Sequence, residues 1–173
     1  LNGNLYIAID VGTTKVCTLI AQVAPNGELE VVGTGVEPSR GMHKGLVVGL
    51  EEMRQAIQGS VARASETLDR ELPGVCIGVT GCHIFSIHST GSLDKLNGRD
   101  PKAISRRELD LVVKQSQPKV ASGQELLHVI PQFYGVDTLE GIRNPIGLEG
   151  HHLTVESHAV VGEVASLDNV VRA

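Results

Sequence analysis

The sequence predicts an α/β protein, and three features of its pattern support this fold class. Short apolar runs bounded by glycine or proline recur along the chain, as expected of buried strands. From Leu50 to Leu68, apolar residues instead recur at steps of three and four, which places them on one face of a helix. A strand meander, a helix and a further strand follow one another, and this order is typical of a helix packed on a sheet.

The first part of the chain is predicted to hold four strands and one helix, separated by turn signals. Pro25-Asn26-Gly27 follows the second strand and Pro73-Gly74 follows the helix, and both sequences are strong turn formers. The predicted elements are strands at 5–9, 16–23 and 29–36, a glycine-bounded loop at 38–45, a helix at 50–68 and a strand at 75–79.

The second part of the chain reads strand, helix, strand, strand. Ser105 and Glu108 form a capping box, so a helix is expected to begin there and to end before Pro118. Pro131 lies inside a long apolar run and predicts an edge or a bulge, because proline cannot donate to a strand ladder. The predicted elements are a strand at 84–93, a loop at 96–102, a helix to about 117, strands at 126–136 and 151–161 around a loop at 141–150, and a helix at 165–173.

Composition and charge exclude several classes of function. A net charge of −5, with two Tyr, two Phe and no Trp, argues against a nucleic-acid partner, which needs positive charge and stacking side chains. Three cysteines without a Cys-x-x-Cys pair predict reduced thiols in a cytoplasmic protein. The seven histidines do not show the spacing of metal ligands, so metal binding by histidine is not expected.

The ends of the sequence predict that it is a piece of a longer protein. It begins without Met and ends at Ala173, within a predicted helix. No apolar stretch is long enough to cross a bilayer, and the first residues lack the features of a signal peptide. No low-complexity linker separates the two parts of the chain, which favours one domain inserted in another.

A polar turn after the first strand is the strongest candidate for a functional site. Gly12 has no Cβ, so its backbone can approach a ligand closely, and the amides after it can converge on an anion. The Thr13 and Thr14 hydroxyls can donate to phosphate oxygens, and Lys15 offers a mobile positive charge. Asp10, at the end of the strand, is placed to hold hydrated Mg²⁺. The motif alone is equally consistent with a plain hairpin turn, which also needs small and polar residues.

Basic residues in the second part of the chain are candidates for an interaction surface. They are Arg99, Lys102, Arg106 and Arg107, and a solvated helix face is the alternative interpretation. Arg106 and Arg107 lie near a helix start, where positive charge opposes the macrodipole, a small cost that binding could justify. The loop Arg40–Lys44 is a second candidate contact, without an assigned role.

Four motifs, taken in order, give the sequence a recognisable pattern. The first resembles the first phosphate loop of the actin/Hsp70/sugar-kinase superfamily. The four together resemble the FtsA family of bacterial cell-division proteins, and the resemblance covers essentially the whole chain. The motifs are Ile9-Asp10-Val11-Gly12-Thr13-Thr14-Lys15, Ser39-Arg40-Gly41-Met42-His43-Lys44-Gly45, His128-Val129-Ile130-Pro131-Gln132 and Gly141-Ile142-Arg143-Asn144-Pro145-Ile146-Gly147.

The resemblance implies an actin-like (ribonuclease H-like) half-domain with an inserted strand-helix-strand-strand (SHS2) module. Residues 1–82 match the first part of subdomain 1A, with its first phosphate loop. Residues 83–162 match the inserted subdomain 1C, and residues 163–173 begin the return to subdomain 1A.

The resemblance also implies a function. The family binds ATP with Mg²⁺, forms actin-like filaments and tethers the FtsZ ring to the membrane, which implies a location in the cytoplasm, on the inner face of the membrane at the division septum. The inserted module would be a contact surface for self-association and for other division proteins. The family's FtsZ-binding subdomain and C-terminal membrane helix have no counterpart in these residues.

Catalysis is not expected from these residues alone, and ATP hydrolysis would be at most a slow switch in the full-length protein. The family's second phosphate loop and adenosine pocket have no counterpart here. Since one lobe of a nucleotide cleft cannot bury the base, this chain alone is expected to bind ATP very weakly or not at all.

Two other classes of function stay open on the sequence. A sugar or glycerol kinase also carries an Asp-x-Gly-Thr-Thr loop, although such sites usually hold the polyol with aromatic side chains and this chain has no Trp. A pilus-assembly binding module like PilM shares the inserted module and binds a partner peptide. The loop at 39–45 and the segment His128–Gln132 favour the division family over the pilus-assembly module.

Overall fold

The chain forms two compact units in the computed structural model, which describes residues 5–68, 72, 74–94 and 102–173. Unit 1 comprises the described residues up to His83 together with Ala165–Ala173, and unit 2 comprises the described residues of Ile84–Val164. Arg99 and nearly all of the loop predicted at 96–102 lie outside the described residues.

Unit 1 begins with strands joined by short turns and a helix that packs on them. Its elements up to His83 are β1 (Leu5–Val11), β2 (Lys15–Val23), β3 (Leu29–Pro38), β4 (Met42–His43), β5 (Leu46–Val47), α1 (Leu50–Ser65) and β6 (Val75–Val79). Four of the strands form one sheet in the order β3-β2-β1-β6, in which β6 runs parallel to β1 and the other neighbours are antiparallel.

One face of this sheet forms the core of unit 1. Ile7, Ile9 and Val11 alternate along β1 toward α1, where Met53 and Ala56 are buried against them. The residues between them, Tyr6, Ala8 and Asp10, lie on the other face and are exposed. The alternation of buried and exposed residues therefore decides which side chains of β1 are available to a ligand.

Helix α1 lies directly against the backbone of β3. A Cβ added at Gly33 would overlap the Ala64 carbonyl oxygen, and one added at Gly35 would overlap the Ser60 carbonyl oxygen. The Ser60 hydroxyl lies 2.6 Å from the Thr18 hydroxyl and donates to the Gly35 carbonyl at 3.2 Å, so each buried hydroxyl has a hydrogen bond.

The loop predicted at 38–45 was an incomplete description, because the chain forms a small hairpin there. β4 pairs with β5 across a two-residue turn in which Lys44 has φ 50° and Gly45 has φ 81°. Two consecutive positive φ values are the geometry of the tight turns that join antiparallel strands. Lysine rarely adopts a positive φ, so Lys44 at the first turn position gave no sequence signal for a hairpin.

Unit 2 is a helix packed on an antiparallel sheet. Its elements are β7 (Ile84–Asp94), β8 (Lys102–Ala103), α2 (Arg106–Gln115), β9 (Gln124–Val136), β10 (Leu139–Ile142), β11 (Glu149–Gly150) and β12 (His152–Glu163). The main sheet has the order β10-β9-β12-β7, and β8 pairs with β11 in a separate ladder. Leu109 and Val112 of α2 pack against Leu153 and Val155 of β12, which form the centre of the core.

The local predictions in unit 2 are confirmed at α2 and β9. Ser105 caps α2 by accepting from the Arg107 amide at 3.3 Å, and Glu108 accepts from the Ser105 amide at 2.9 Å, which completes the capping box. Pro131 pairs with Ser157 while Phe133 pairs with Glu156, so Gln132 is the extra residue of a bulge next to the proline.

The turn between β9 and β10, at one end of the unit 2 sheet, is stabilised by the Asp137 carboxylate. Asp137 has φ 52° in the turn between β9 and β10, and its carboxylate accepts from the amides of His151 and His152, both at 2.9 Å. These two backbone hydrogen bonds lower the pKa of Asp137 below its ordinary value. The turn is therefore held by a charged acceptor that stays ionised.

The chain ends with α3 (Val164–Arg172), whose Val170 is 3% exposed in the core of unit 1. The Arg172 carbonyl accepts from the Arg54 guanidinium at 3.1 Å, which ties α3 to α1 within that unit. Among the described residues, every helix is too short or too polar to traverse a lipid bilayer.

Replacing Gly35 by Ala is expected to destabilise the chain by at least about 2 kcal/mol, because the new Cβ would force α1 away from β3. Gly74→Ala is the matched control, since an added Cβ meets nothing within 4 Å there. Urea unfolding followed by circular dichroism would measure both free energies. Equal stabilities of the two variants would contradict the close packing of α1 on β3.

Candidate functional site

The polar turn predicted after the first strand is a surface hairpin between β1 and β2. The Gly12 amide donates to the Lys15 carbonyl at 3.0 Å, directly beyond the last strand pair, Val11 and Val16. Val11 and Val16 are 1% and 0% exposed, so the base of the hairpin is anchored in the core. Three of the predicted ligands on this turn, Thr13, Thr14 and Lys15, are exposed.

Asp10 lies on the open face of the sheet, one residue before the buried end of β1. Its neighbour on β6 is Gly78, and a Cβ added there would lie 3.6 Å from the Asp10 Oδ1 atom. The carboxylate therefore borders a strand position that has no side chain. Among the described residues, the Asp10 carboxylate has no side-chain hydrogen bond or ion pair, so it is free to bind a cation or water.

Two further segments frame the turn. β1 and β6 are parallel, so their carboxyl ends and the loops that follow them share one edge of the sheet, where open α/β sheets bind ligands. The Ser39 amide donates to the Thr14 carbonyl at 3.0 Å. The hairpin β4–β5 lies against the loop after β6, since a Cβ on Gly45 would be 2.6 Å from the Gly81 Cα and the Thr80 carbonyl oxygen.

The residues of β6 and of the loop after it were not predicted from the sequence as part of this site. Gly78 and the pair Thr80–Gly81 lie far from Asp10 in the chain, and only the parallel pairing of β6 with β1 brings them to the same edge. The signal available in the sequence is the glycine at 78 and again at 81, at the end of an apolar run. Glycine at such positions indicates a close approach of backbone or ligand.

The arrangement has the donors and acceptors that a magnesium–phosphate group needs. An unpaired carboxylate suits hydrated Mg²⁺, which takes few protein ligands and keeps water and phosphate oxygens. The Thr13 and Thr14 hydroxyls and the Lys15 ammonium are exposed donors on the adjacent turn. Binding by Asp10, Gly12, Thr13, Thr14 and Lys15 stays a prediction, and the geometry is also that of an ordinary hairpin.

Three of the four basic residues predicted as an interaction surface, Lys102, Arg106 and Arg107, lie in the described part of the chain, and their role as a surface stays a prediction. Arg106 lies at the start of α2, 3.4 Å from the Asp110 carboxylate, and its side chain is 79% exposed. Arg107 is exposed as well, while Lys102 lies in β8 opposite Gly150.

Arg106 also borders a groove, whose apolar residues the sequence did not indicate as part of a site. The groove has a volume of about 370 Å³ and lies between α2 and β9. Burial raises the pKa of Tyr134, and the positive charge of Arg106 opposes this rise. An apolar floor with charged and polar groups at its rim can accept a side chain of a partner. The lining residues are Leu109, Val113, Pro131 and Tyr134 on the floor, with Arg106, Asp110, Lys114 and Gln117 at the rim.

Residues 81–161 match a family model described as the SHS2 domain inserted in FtsA. The cell division protein FtsA of Pseudomonas aeruginosa is 34% identical over 169 residues, covering 98% of this chain and 40% of that protein. FtsA of Escherichia coli K12 is 31% identical over 170 residues, covering 98% of the chain and 40% of that protein. The chain thus spans about two fifths of the length of these curated relatives.

A solved structure supports the fold. The type IV pilus biogenesis complex PilM–PilN contains a chain that superposes with a TM-score of 0.58 over 96% of this chain and 43% of that chain. The sequence identity is 13%, so the likeness concerns the fold alone. The predicted class, an α/β actin-like half-domain with an inserted SHS2 module, is confirmed.

Replacing Gly45 by Ala is expected to destabilise the chain more than Gly27→Ala. Both glycines have positive φ, 81° and 84°, so each substitution carries a backbone cost of about 1–2 kcal/mol. Only Gly45 would add a clash with the loop at Gly81, because a Cβ on Gly27 meets nothing within 4 Å. Thermal unfolding of the two variants measures the difference, and equal losses would contradict the contact between the hairpin and that loop.

Proposed function

The chain belongs to the FtsA family, and from this premise we propose that it acts in bacterial cell division as part of an ATP-binding, filament-forming protein. The whole protein would link the FtsZ ring to the inner face of the cytoplasmic membrane at the septum. Since the chain spans about 40% of its relatives, these activities are proposed for the complete gene product. Its contacts with FtsZ and with the membrane would lie outside the present residues.

The observation that carries the proposal is the Asp10 carboxylate, which no described residue pairs, beside the exposed turn at the carboxyl edge of β1 and β6. Asp10 would orient water molecules on Mg²⁺, and the ion would neutralise part of the charge on the phosphates of ATP. The amides and hydroxyls of Thr13 and Thr14 would donate to phosphate oxygens, with Lys15 adding positive charge.

The inserted module supplies a second role, in protein contacts. The groove between α2 and β9 combines an apolar floor with two cations at its rim, Arg106 and Lys114. We propose that this groove takes part in self-association and in contacts with other division proteins. An apolar pocket flanked by charge gives a contact both affinity and register, because apolar burial stabilises while charges exclude wrong partners.

In the complete gene product, Asp10→Asn is expected to weaken binding of ATP in excess Mg²⁺ by about tenfold or more, because a charged contact is lost. Asp168→Asn is the matched control, since it removes an exposed carboxylate from α3 in the same unit. Isothermal titration calorimetry measures both affinities. Unchanged ATP binding in Asp10→Asn would overturn the assignment of this carboxylate.

Reversing the groove charge with Arg106→Glu and Lys114→Glu together is expected to raise the concentration needed for self-association by about fivefold, because the rim charge changes sign. The control is Lys119→Glu with Arg143→Glu, an identical charge change at two exposed sites of unit 2. Sedimentation of the complete gene product with Mg²⁺ and ATP measures assembly. Equal effects of the two double variants would show that net charge, and not the groove, is responsible.

A further inference from the structure

The face of the unit 2 sheet opposite α2 carries three histidines on adjacent strands. His88 lies on β7, His158 on the central strand β12 and His128 on β9. His88 and His158 are direct cross-strand partners, whereas His128 is opposite Val160. Sequence spacing conceals this pair, because the two residues are 70 positions apart and meet only through the register of β7 and β12.

The two imidazole rings are close and accessible. Their centres are 5.6 Å apart and their planes make an angle of 77°. His88 is exposed and His158 is half-buried. Within the described part of the chain, the nitrogens of the His88 and His158 rings have no hydrogen bond or ion pair, so each ring has a lone pair available for a ligand. By contrast, the His152 ring is held by the Asp94 carboxylate at 2.6 Å.

The separation of the rings matches what a shared metal ion requires. Zn–N bonds are about 2.0–2.1 Å long, so two imidazoles on one tetrahedral ion have ring centres about 5.2 Å apart. The observed distance of 5.6 Å between the ring centres is close to this value. An edge-to-face contact alone accounts for the ring packing but leaves the exposed nitrogens without a partner.

We propose that His88 and His158 form a two-imidazole site for a divalent transition metal of the Zn²⁺, Ni²⁺ or Cu²⁺ class. Imidazole is a preferred ligand for these ions. Among the described residues, no set of three or more His, Cys, Asp or Glu side chains is arranged around a metal, so water fills the remaining positions. Glu156, exposed on the same face two residues from His158, adds negative charge near the ion.

Titration of the 173-residue chain, free of any histidine tag, with ZnCl₂ tests the site. One Zn²⁺ is expected per chain. His88→Thr and His158→Thr are each expected to weaken binding by at least the 10–100-fold known for loss of an outer-shell partner. His128→Thr is the matched control, because it removes an exposed histidine from the same face without touching the pair.

Threonine suits a strand, so all three variants should keep the fold, and circular dichroism with thermal unfolding verifies this. NMR of the imidazole protons locates the bound ion, with shifts expected at His88 and His158. The proposal is overturned if the wild-type chain binds no Zn²⁺. It is also overturned if either pair variant keeps wild-type affinity, or if His128→Thr weakens binding as much as they do.

Discussion

The close approach of helix α1 to the backbone of β3 is the constraint on which unit 1 depends. Glycine at 33 and 35 leaves no side chain between helix and strand, and the buried hydrogen bond between Thr18 and Ser60 sets the register of the contact. With α1 held on this face, the alternation of β1 assigns Ile9 and Val11 to the core. Asp10 is thereby left on the open face, beside the turn that carries the candidate phosphate ligands.

In unit 2, as in unit 1, the helix packs closely on a strand that has glycine at the contact. Gly91 of β7 lies under α2, where a Cβ would overlap the Val112 carbonyl oxygen. The Ser116 and Ser157 hydroxyls, 2.8 Å apart, form the buried hydrogen bond between helix and sheet. In both units a small residue permits close packing, and a satisfied hydroxyl pair specifies one arrangement of helix on sheet, because an unpaired buried hydroxyl is costly.

Among the described residues, α1 packs on one face of the unit 1 sheet and α2 on one face of the unit 2 sheet, and the opposite faces carry exposed polar side chains. In unit 1 the exposed face carries the Asp10 carboxylate, which has no partner among the described residues, at the edge where the parallel strands β1 and β6 end. In unit 2 the groove beside α2 offers an apolar contact with a charged rim, while the opposite face presents two facing imidazoles. The candidate phosphate site lies in unit 1, whereas the groove and the histidine pair lie on opposite faces of the unit 2 sheet. A substitution at one of these three sites therefore leaves the residues of the other two unchanged.

The sequence by itself determined the features that depend on neighbouring residues. The longer strands, the capping box of Ser105 and Glu108, the bulge at Pro131 and the polar turn after β1 follow from local backbone and hydrogen-bonding rules. The short strands β4, β5, β10 and β11 were not predicted, and β11 lies inside the loop expected at 141–150. Only the tertiary structure decided which distant residues meet. Gly78 lies beside Asp10, and His88 lies opposite His158, because strand pairing brings together segments that are far apart in the chain. A short turn fixes the register of the β1–β2 hairpin, but β6 with β1 and β7 with β12 are not joined by a short turn, so the packing of their buried faces decides which residues pair.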